Sequence, residues 1–258
     1  MITMTKEGRQ FLILQTVDSQ GEVTVNDLAD KLNVSEMTIR RDLIDLDALG
    51  LLKRVHGAAI SLSKIYQLVD PPIIERVKEQ TLAKHRIAQV VAGFIKGNET
   101  VFLGSGSTIH AVAKALTKRK NLTVITNALT VCNELVNSPE ITLILTGGCL
   151  RREEMTFIGY FLENAIRNLR VDKVILGVRG IDPVYGFTSD DMREIITDRA
   201  LLATSSSIII AADFTKFGYV GATRAADITA ASLIITDIKA PDDIIEKIRK
   251  KGVKVIKA

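Results

Sequence analysis

The chain has 258 residues, 47% of them apolar, with 34 Lys and Arg against 30 Asp and Glu, a formal charge of +4. That length and apolar share can build the core of one large domain or two ordinary ones, which excludes a disordered chain. No apolar run is long enough to cross a bilayer, the opening MITMTKEGRQ lacks an apolar signal core, and Cys132 and Cys149 have neither CxxC nor metal-ligand spacing, so we expect a cytoplasmic protein with no membrane partner, disulfide framework, metal or cofactor.

In chain order, a first helix is expected from Thr5 to Val17, with Phe11, Leu12, Leu14 and Val17 as its apolar cluster and its end near DSQG. EVTV reads as a short extended piece. Val25, Leu28, Ala29 and Leu32 then recur at helical spacing until Asn33 makes a tight turn. Ser35 is a natural N-cap for a third helix, with Glu36 in its first turn, Ile39, Leu43 and Leu46 as its buried stripe and Gly50 as its terminator. Thr38 stands where a full capping box needs an acid or amide. LLKRVHGAAISL alternates weakly around Gly57, as a small β-hairpin or wing does.

At about 100° per residue, Met37, Arg40, Arg41 and Ile44 fall away from the Ile39, Leu43 and Leu46 stripe and face outward. A helix, a tight turn and a second helix opening on Ser35, Glu36, Met37 and Thr38 can set that second helix in the major groove. Arg40 or Arg41 could grip guanine O6 and N7 or a phosphate, and either assignment stays open; Lys53, Arg54 and His56 on the wing suit phosphate or minor-groove contacts. An isolated arginine pair would instead read as a solvated face paired with Glu36, Asp42 or Asp45. Residues 1–60 hold seven Lys and Arg against nine Asp and Glu, a net of −2, so DNA would be held by a few focused cations, which favours two or more copies acting together.

VTVNDLADKLNVSEMTIRRDLIDLDALGLLKRVHGAA resembles the winged helix-turn-helix of the DeoR (deoxyribose-operon repressor) family of bacterial regulators, departing at Ala58, where that family usually has a second glycine. The resemblance implies that residues 1–60 form a domain that binds double-stranded operator DNA. Pro71 and Pro72 resist helix, so residues 61–79 read as a linker.

From residue 80 to 258 the pattern changes. A helix, LAKHRIAQVVAGFIKG, is followed by seven apolar runs, TVFL, LTVIT, ITLIL, DKVILGV, SIIIAAD, SLIITD and VKVIK, separated mostly by helical segments. This predicts an α/β fold, a larger Rossmann-like domain whose mostly parallel sheet is covered on both faces. After TVFL comes GSGSTIHAVAKAL, a turn at Gly104, Ser105 and Gly106 that runs into a helix. Its backbone N–H groups, with the hydroxyls of Ser105, Ser107 and Thr108, could cradle a phosphate. A dinucleotide fingerprint would want a glycine where Ile109 stands and an acid where Asn127 stands, which disfavours NAD. A tight turn without a ligand is the plain alternative.

The region from about residue 75 to 258 is similar to the sensor domain of the same family, which is related in fold to ribose-5-phosphate isomerases. Where the family usually reads D-x-G-T-T, this chain has Gly104 in place of the aspartate. Thr126 and Asn127 match the family's T-N-S, Thr146, Gly147 and Gly148 its glycine pair, and Asp182 in GVRGID its G-x-x-G-I-D. ADFTKFG keeps Asp213 and Lys216 but has Phe214 and Thr215 for two serines. The resemblance implies a phosphorylated sugar effector at the carboxyl ends of the strands, in a repressor of sugar-metabolism genes that acts as a homodimer or homotetramer. Taken singly, Asp182 and Asp213 also read as turn formers, Asn127 as a loop cap and Lys216 as a surface charge. His85 and His110 read as structural or surface residues, and Arg151, Arg152, Glu153 and Glu154 as a solvated loop run. The rival reading is a sugar-phosphate isomerase carrying a helix-turn-helix, for which no complete acid and base pair stands out.

Overall fold

The computed structural model describes residues 5–49, 51–55, 57–61 and 71–258, so Gly50 and His56, named above as helix terminator and wing contact, lie outside the described residues. The chain divides into two compact units, Met1–Asp70 with Asp190–Arg193, and Pro71–Ser189 with Glu194–Ala258.

In the smaller unit, helix α1 (Lys6–Gln20) starts where the Thr5 hydroxyl accepts from Gly8 N and stops at Gly21, whose φ of 77° suits a residue without a Cβ. Strand β1 (Glu22–Thr24) leads into α2 (Val25–Leu32), which is closed by Asn33 in the left-handed region at φ 51°. Three residues later α3 (Glu36–Ala48) begins, capped as expected by Ser35, whose Oγ accepts from Thr38 N at 3.2 Å. Strands β2 (Lys53–Val55) and β3 (Ala58–Ile60) form the wing, and β1 completes an antiparallel sheet in the order β1-β3-β2. Ile13, Val17, Leu28, Ile39, Leu43, Leu46 and Leu52 make one core. The α1 stripe differs from the expected one. Ile13 is wholly buried while Phe11 is 44% exposed, because the helix turns positions 13, 16 and 17 inward together and thereby buries Thr16.

The larger unit starts with a single helical turn, α4 (Ile73–Arg76), directly after Pro72, then α5 (Thr81–Gly93). All seven apolar runs are strands of one sheet: β4 (Thr100–Leu103), β5 (Leu122–Thr126), β6 (Ile141–Leu145), β9 (Lys173–Leu176), β12 (Ile208–Ala211), β14 (Leu233–Thr236) and β15 (Lys254–Lys257). Their order is β15-β14-β12-β9-β4-β5-β6 and every pairing is parallel. Alternation feeds two cores. Val101 and Leu103 of β4 pack with Ile87 and Val91 of α5 and with Val112 of α6 (Ser107–Leu116), while Phe102 packs on the other face with Leu162 and Ile166 of α8 (Tyr160–Arg167) and Ile245 of α10 (Asp242–Lys250). Helix α7 (Leu129–Leu135) follows β5, and α9 (Met192–Leu202) precedes β12.

Two further pieces of sheet were not expected: a hairpin of β7 (Cys149–Arg151) and β8 (Thr156–Ile158), and an antiparallel sheet of β10 (Gly180–Asp182), β11 (Gly186–Ser189) and β13 (Thr223–Ala226). From β4 the chain steps outward through β5 to β6, then returns across the sheet to β9 and steps the other way. The β4/β9 boundary is therefore the topological switch point, where open α/β sheets form a crevice beyond the carboxyl ends of their strands. Among the described residues no helix is long and apolar enough to cross a membrane.

Candidate functional site

Two places gather the residues singled out above. The first is the outward face of α3. Met37 is 62% and Ile44 48% exposed, and Arg40 and Arg41 stand exposed between them. Arg40 Nη2 lies 3.1 Å from Glu36 Oε2, an exposed pair one turn apart. Of the three acids weighed as partners, only Glu36 is so used. Asp42 is 2% exposed and takes Arg9 Nε at 2.5 Å, and Asp45 takes Lys6 Nζ at 2.7 Å. Both aspartates thus hold α3 to α1, which leaves the arginine face clear of them. Ser35 and Thr38 bond each other through their hydroxyls at 2.9 Å as part of the cap. On the wing, Lys53 and Arg54 are exposed, with Asp47 Oδ1 3.9 Å from Lys53 Nζ and accepting from Arg54 N at 3.4 Å.

The second place is the switch point. Gly104 N donates to Ile175 O at 2.9 Å, and a Cβ on Gly177 would come within 3.0 Å of Ser105 O, so the loops after β4 and β9 touch. Gly106, at φ 107°, turns the chain into α6, whose start has no side-chain cap. The first N–H groups of a helix lack intrahelical partners and favour an anion. Ser107 and Thr108 are buried there, with Ser105 and Gly106 half-buried.

Next along the sheet, Thr126 Oγ1 accepts from Ala128 N at 3.0 Å and Thr126 O accepts from Thr146 N at 3.0 Å, which brings the ends of β5 and β6 together. Asn127, 5% exposed, donates from Nδ2 to Phe157 O at 3.0 Å, while its buried Oδ1 has no partner among the described residues. Gly147 and Gly148 have φ of 72° and 130°, and a Cβ on Gly148 would meet Ile158 O at 2.7 Å, so the β7–β8 hairpin sits against this corner.

Beyond β12, Asp213 is 2% exposed and accepts from Thr215 N at 3.0 Å, capping a single 3₁₀ turn that carries Lys216. Asp182 is placed differently. Its Oδ1 accepts from Val184 N and Tyr185 N at 2.7 and 2.8 Å, so the carboxylate is committed to its own turn in the side sheet, the turn-former reading given above.

One residue in this corner escaped the sequence reading. Lys84, on α5, is 5% exposed, and its Nζ donates to Arg76 O at 2.6 Å and Glu79 O at 2.7 Å. Burial holds its ammonium below the ordinary lysine range, while Asp213 pulls the other way and Lys216 adds to the depression, so α5 and the β12 loop share one electrostatic site. The signal was in the sequence. Lys84, Ile87, Ala88 and Val91 lie on one buried helical stripe, and a lysine in such a stripe needs a reason.

Within the Arg151 to Glu154 run, Arg152 and Glu153 are exposed as expected, but the two outer residues are not solvated. Arg151 pairs with Glu194 and Glu154 with Arg76, all four side chains being largely buried. A wider groove of about 1020 Å³ is lined by Arg167, Arg170 and Arg199, but it lies at the amino ends of β9 and β12, away from the switch-point crevice.

A profile of the DeoR C terminal sensor domain matches residues 79–238, and one of the DeoR-like helix-turn-helix domain matches residues 9–65. The chain belongs to the DeoR family. It is 35% identical over 243 residues to the glycerol-3-phosphate regulon repressor of Escherichia coli strain K12, covering 94% of this chain and 95% of that one. It is 31% identical over 249 residues to the lactose phosphotransferase system repressor of Streptococcus mutans, covering 96% and 98%. DeoR membership makes it a DNA-binding regulator of transcription and not an isomerase, and both of these relatives are named as repressors. A solved ribose 5-phosphate isomerase A from Methanocaldococcus jannaschii shares 13% identity at a TM-score of 0.39 over 52% of this chain and 53% of that one, a likeness too slight to carry an argument.

Proposed function

We propose that this DeoR-family chain is a repressor of sugar-metabolism genes whose hold on operator DNA is loosened by a phosphorylated sugar. The observation that carries the reading is the uncapped helix start after Gly106 at the β4/β9 switch point, with the unpartnered buried acceptor of Asn127 at the end of the next strand. Lys84 and Lys216 add cations around Asp213, past the end of β12. The helix start and a lysine suit a phosphate, and Asn127, with an unused buried acceptor, suits a sugar hydroxyl. Gly104 to Thr108, Thr126, Asn127, Gly147, Gly148 and Asp213 line or shape that corner in this reading, whereas Asp182 serves its own turn. The relatives named for a glycerol-3-phosphate regulon and a lactose phosphotransferase system agree with small phosphorylated effectors.

On the DNA side, Arg40 and Arg41 read bases or clamp phosphate, with Ser35, Glu36, Met37 and Thr38 at the groove and Lys53, Arg54 and His56 on the flanking backbone. Paired heads on repeated half-sites call for a homodimer or homotetramer. The test is to select genomic fragments on the purified protein, then titrate the bound operator with ribose 5-phosphate, glycerol 3-phosphate and hexose 6-phosphates beside the unphosphorylated compounds. Release by one phosphorylated compound and by no parent compound is expected. Operator binding indifferent to all of them removes the effector half of the proposal, and salt-labile retention of unrelated DNA removes the operator half.

A further inference from the structure

The short stretch by which the chain enters the larger unit is fastened to the wall of the candidate ligand site. The guanidinium of Arg76, at the end of α4, is ion-paired with Glu154 in the β7–β8 turn, their side chains 12% and 10% exposed. Arg76 Nε also donates to Pro71 O at 2.8 Å, and Ile73, 1% exposed, donates from its N to Glu153 O at 2.9 Å. From the other side Lys84 Nζ holds Arg76 O and Glu79 O.

The hairpin that receives Arg76 is tied just as closely to the ligand corner. Asn127 Nδ2 donates to Phe157 O, Phe157 N donates to Asn127 O at 2.8 Å, and Leu129 N donates to Met155 O at 2.8 Å. A bonded path therefore runs from Asn127 through β8 to Glu154, to Arg76 and to the Pro71 carbonyl. A buried ion pair adds little stability over an apolar pair of the same volume, and breaking one side of it is costly, so its best-attested use is to fix one arrangement against another. Burial pushes the Glu154 carboxyl up while Arg76 opposes it, so the carboxylate depends on Arg76 as its counter-charge.

We infer that Arg76 and Glu154 are positioning residues that convert occupancy of the Asn127 corner into a change in the stance of α4, and so of Pro71, where the chain enters this unit. This rests on the ligand reading above and adds to it the route by which the ligand acts. The working variant is the double substitution Arg76→Met with Glu154→Met, because either change alone strands a buried charge.

The double variant is expected to fold, to bind operator, and to bind whichever of ribose 5-phosphate, glycerol 3-phosphate or hexose 6-phosphates the wild type binds, with Kd within about twofold. The drop in operator affinity that the probe causes should shrink from the roughly 5- to 150-fold of ordinary coupling to under about threefold. Arg76→Lys, which keeps the charge, should recover part of that drop, as a merely structural contact would not. Undiminished release from the double variant overturns the inference. A second arm needs no ligand: in Asn127→Ala, amide exchange at residues 73–77 should quicken while that of β14 and β15 stays unchanged. Unaltered exchange at 73–77 also overturns the inference. Wild-type protein that binds none of the probes refutes the ligand reading instead, and the exchange arm then decides the path by itself.

Discussion

Arg40 and Arg41 are neighbours in sequence but not in circumstance. Arg40 must release Glu36 to reach DNA, a surface pair worth about 0.3–0.5 kcal/mol, whereas Asp45, Asp42 and Asp47 of α3 are already spoken for by Lys6, Arg9 and the wing. Arg40→Ala and Arg41→Ala should each weaken specific operator binding by about 1–3 kcal/mol with no shift in the thermal midpoint. Fluorescence anisotropy with operator and scrambled duplexes checks this, and an arginine whose removal leaves the two duplexes equally well separated is no reader. At the ligand corner Lys216→Ala should raise the effector concentration needed for release by about tenfold, the loss of one charged hydrogen bond, without altering operator affinity in its absence. Release at the wild-type concentration would take Lys216 out of the site. Among single residues the sequence spoke clearly where chemistry is local: the cap at Ser35, the left-handed turn at Asn33 and the outward arginines follow from nearest neighbours. Lys84 was legible only as an anomaly in an apolar stripe, because its carbonyl partners, Arg76 and Glu79, depend on how the chain turns into the helix, and Asp213 arrives from far along the chain.

Elements separate on the same principle. The seven parallel strands announced themselves as apolar runs because both faces of that sheet are covered. The β7–β8 hairpin and the β10-β11-β13 sheet did not, since their segments are short and mixed in polarity, and β11 finds β13 only across a long stretch of sequence. Arg151 and Glu154 misled because their partners are distant in sequence: Glu194 stands 43 residues from Arg151, and Arg76 stands 78 residues from Glu154. In the DNA-binding head the comparable long-range tie joins α1 to α3. Asp42 at 2% and Arg9 at 14% exposure form a pair whose one-sided removal leaves a buried carboxylate. Arg9→Ala should therefore destabilise the head by about 3 kcal/mol, and Arg9→Leu with Asp42→Leu should recover most of it. Thermal denaturation followed by circular dichroism decides the matter: equal midpoints for wild type and Arg9→Ala would mean that the pair does not hold the helices together.

At the scale of the molecule, charge and coupling set what can be measured. Residues 1–60 carry seven Lys and Arg against nine Asp and Glu, a net of −2, in a chain whose total is +4. Four named cations, Arg40, Arg41, Lys53 and Arg54, face outward on each head. Two heads can then neutralise about eight phosphates, which caps the slope of log affinity against log salt near −7. A slope steeper than about −10 would show a broader basic surface than these heads possess. If a phosphorylated sugar lowers operator affinity by some factor, saturating operator must lower sugar affinity by that same factor. Calorimetry of the sugar with and without operator measures that factor from the sugar's side, and a sugar affinity that saturating operator leaves unchanged would mean that the sugar does not act on DNA binding.

Gly104 is governed by one neighbour. A side chain there would bring its Cβ to 2.7 Å from Leu176 Cδ2, and Leu176 is itself packed to 4% exposure. The backbone around Gly104 leaves room for a side chain, at 3.5 Å from Ile175 O, so what stands in the way of an aspartate is one leucine methyl. The size of that residue therefore decides whether an acid can be seated at this end of β4, and Gly104→Asp with Leu176→Val should be better tolerated than Gly104→Asp alone.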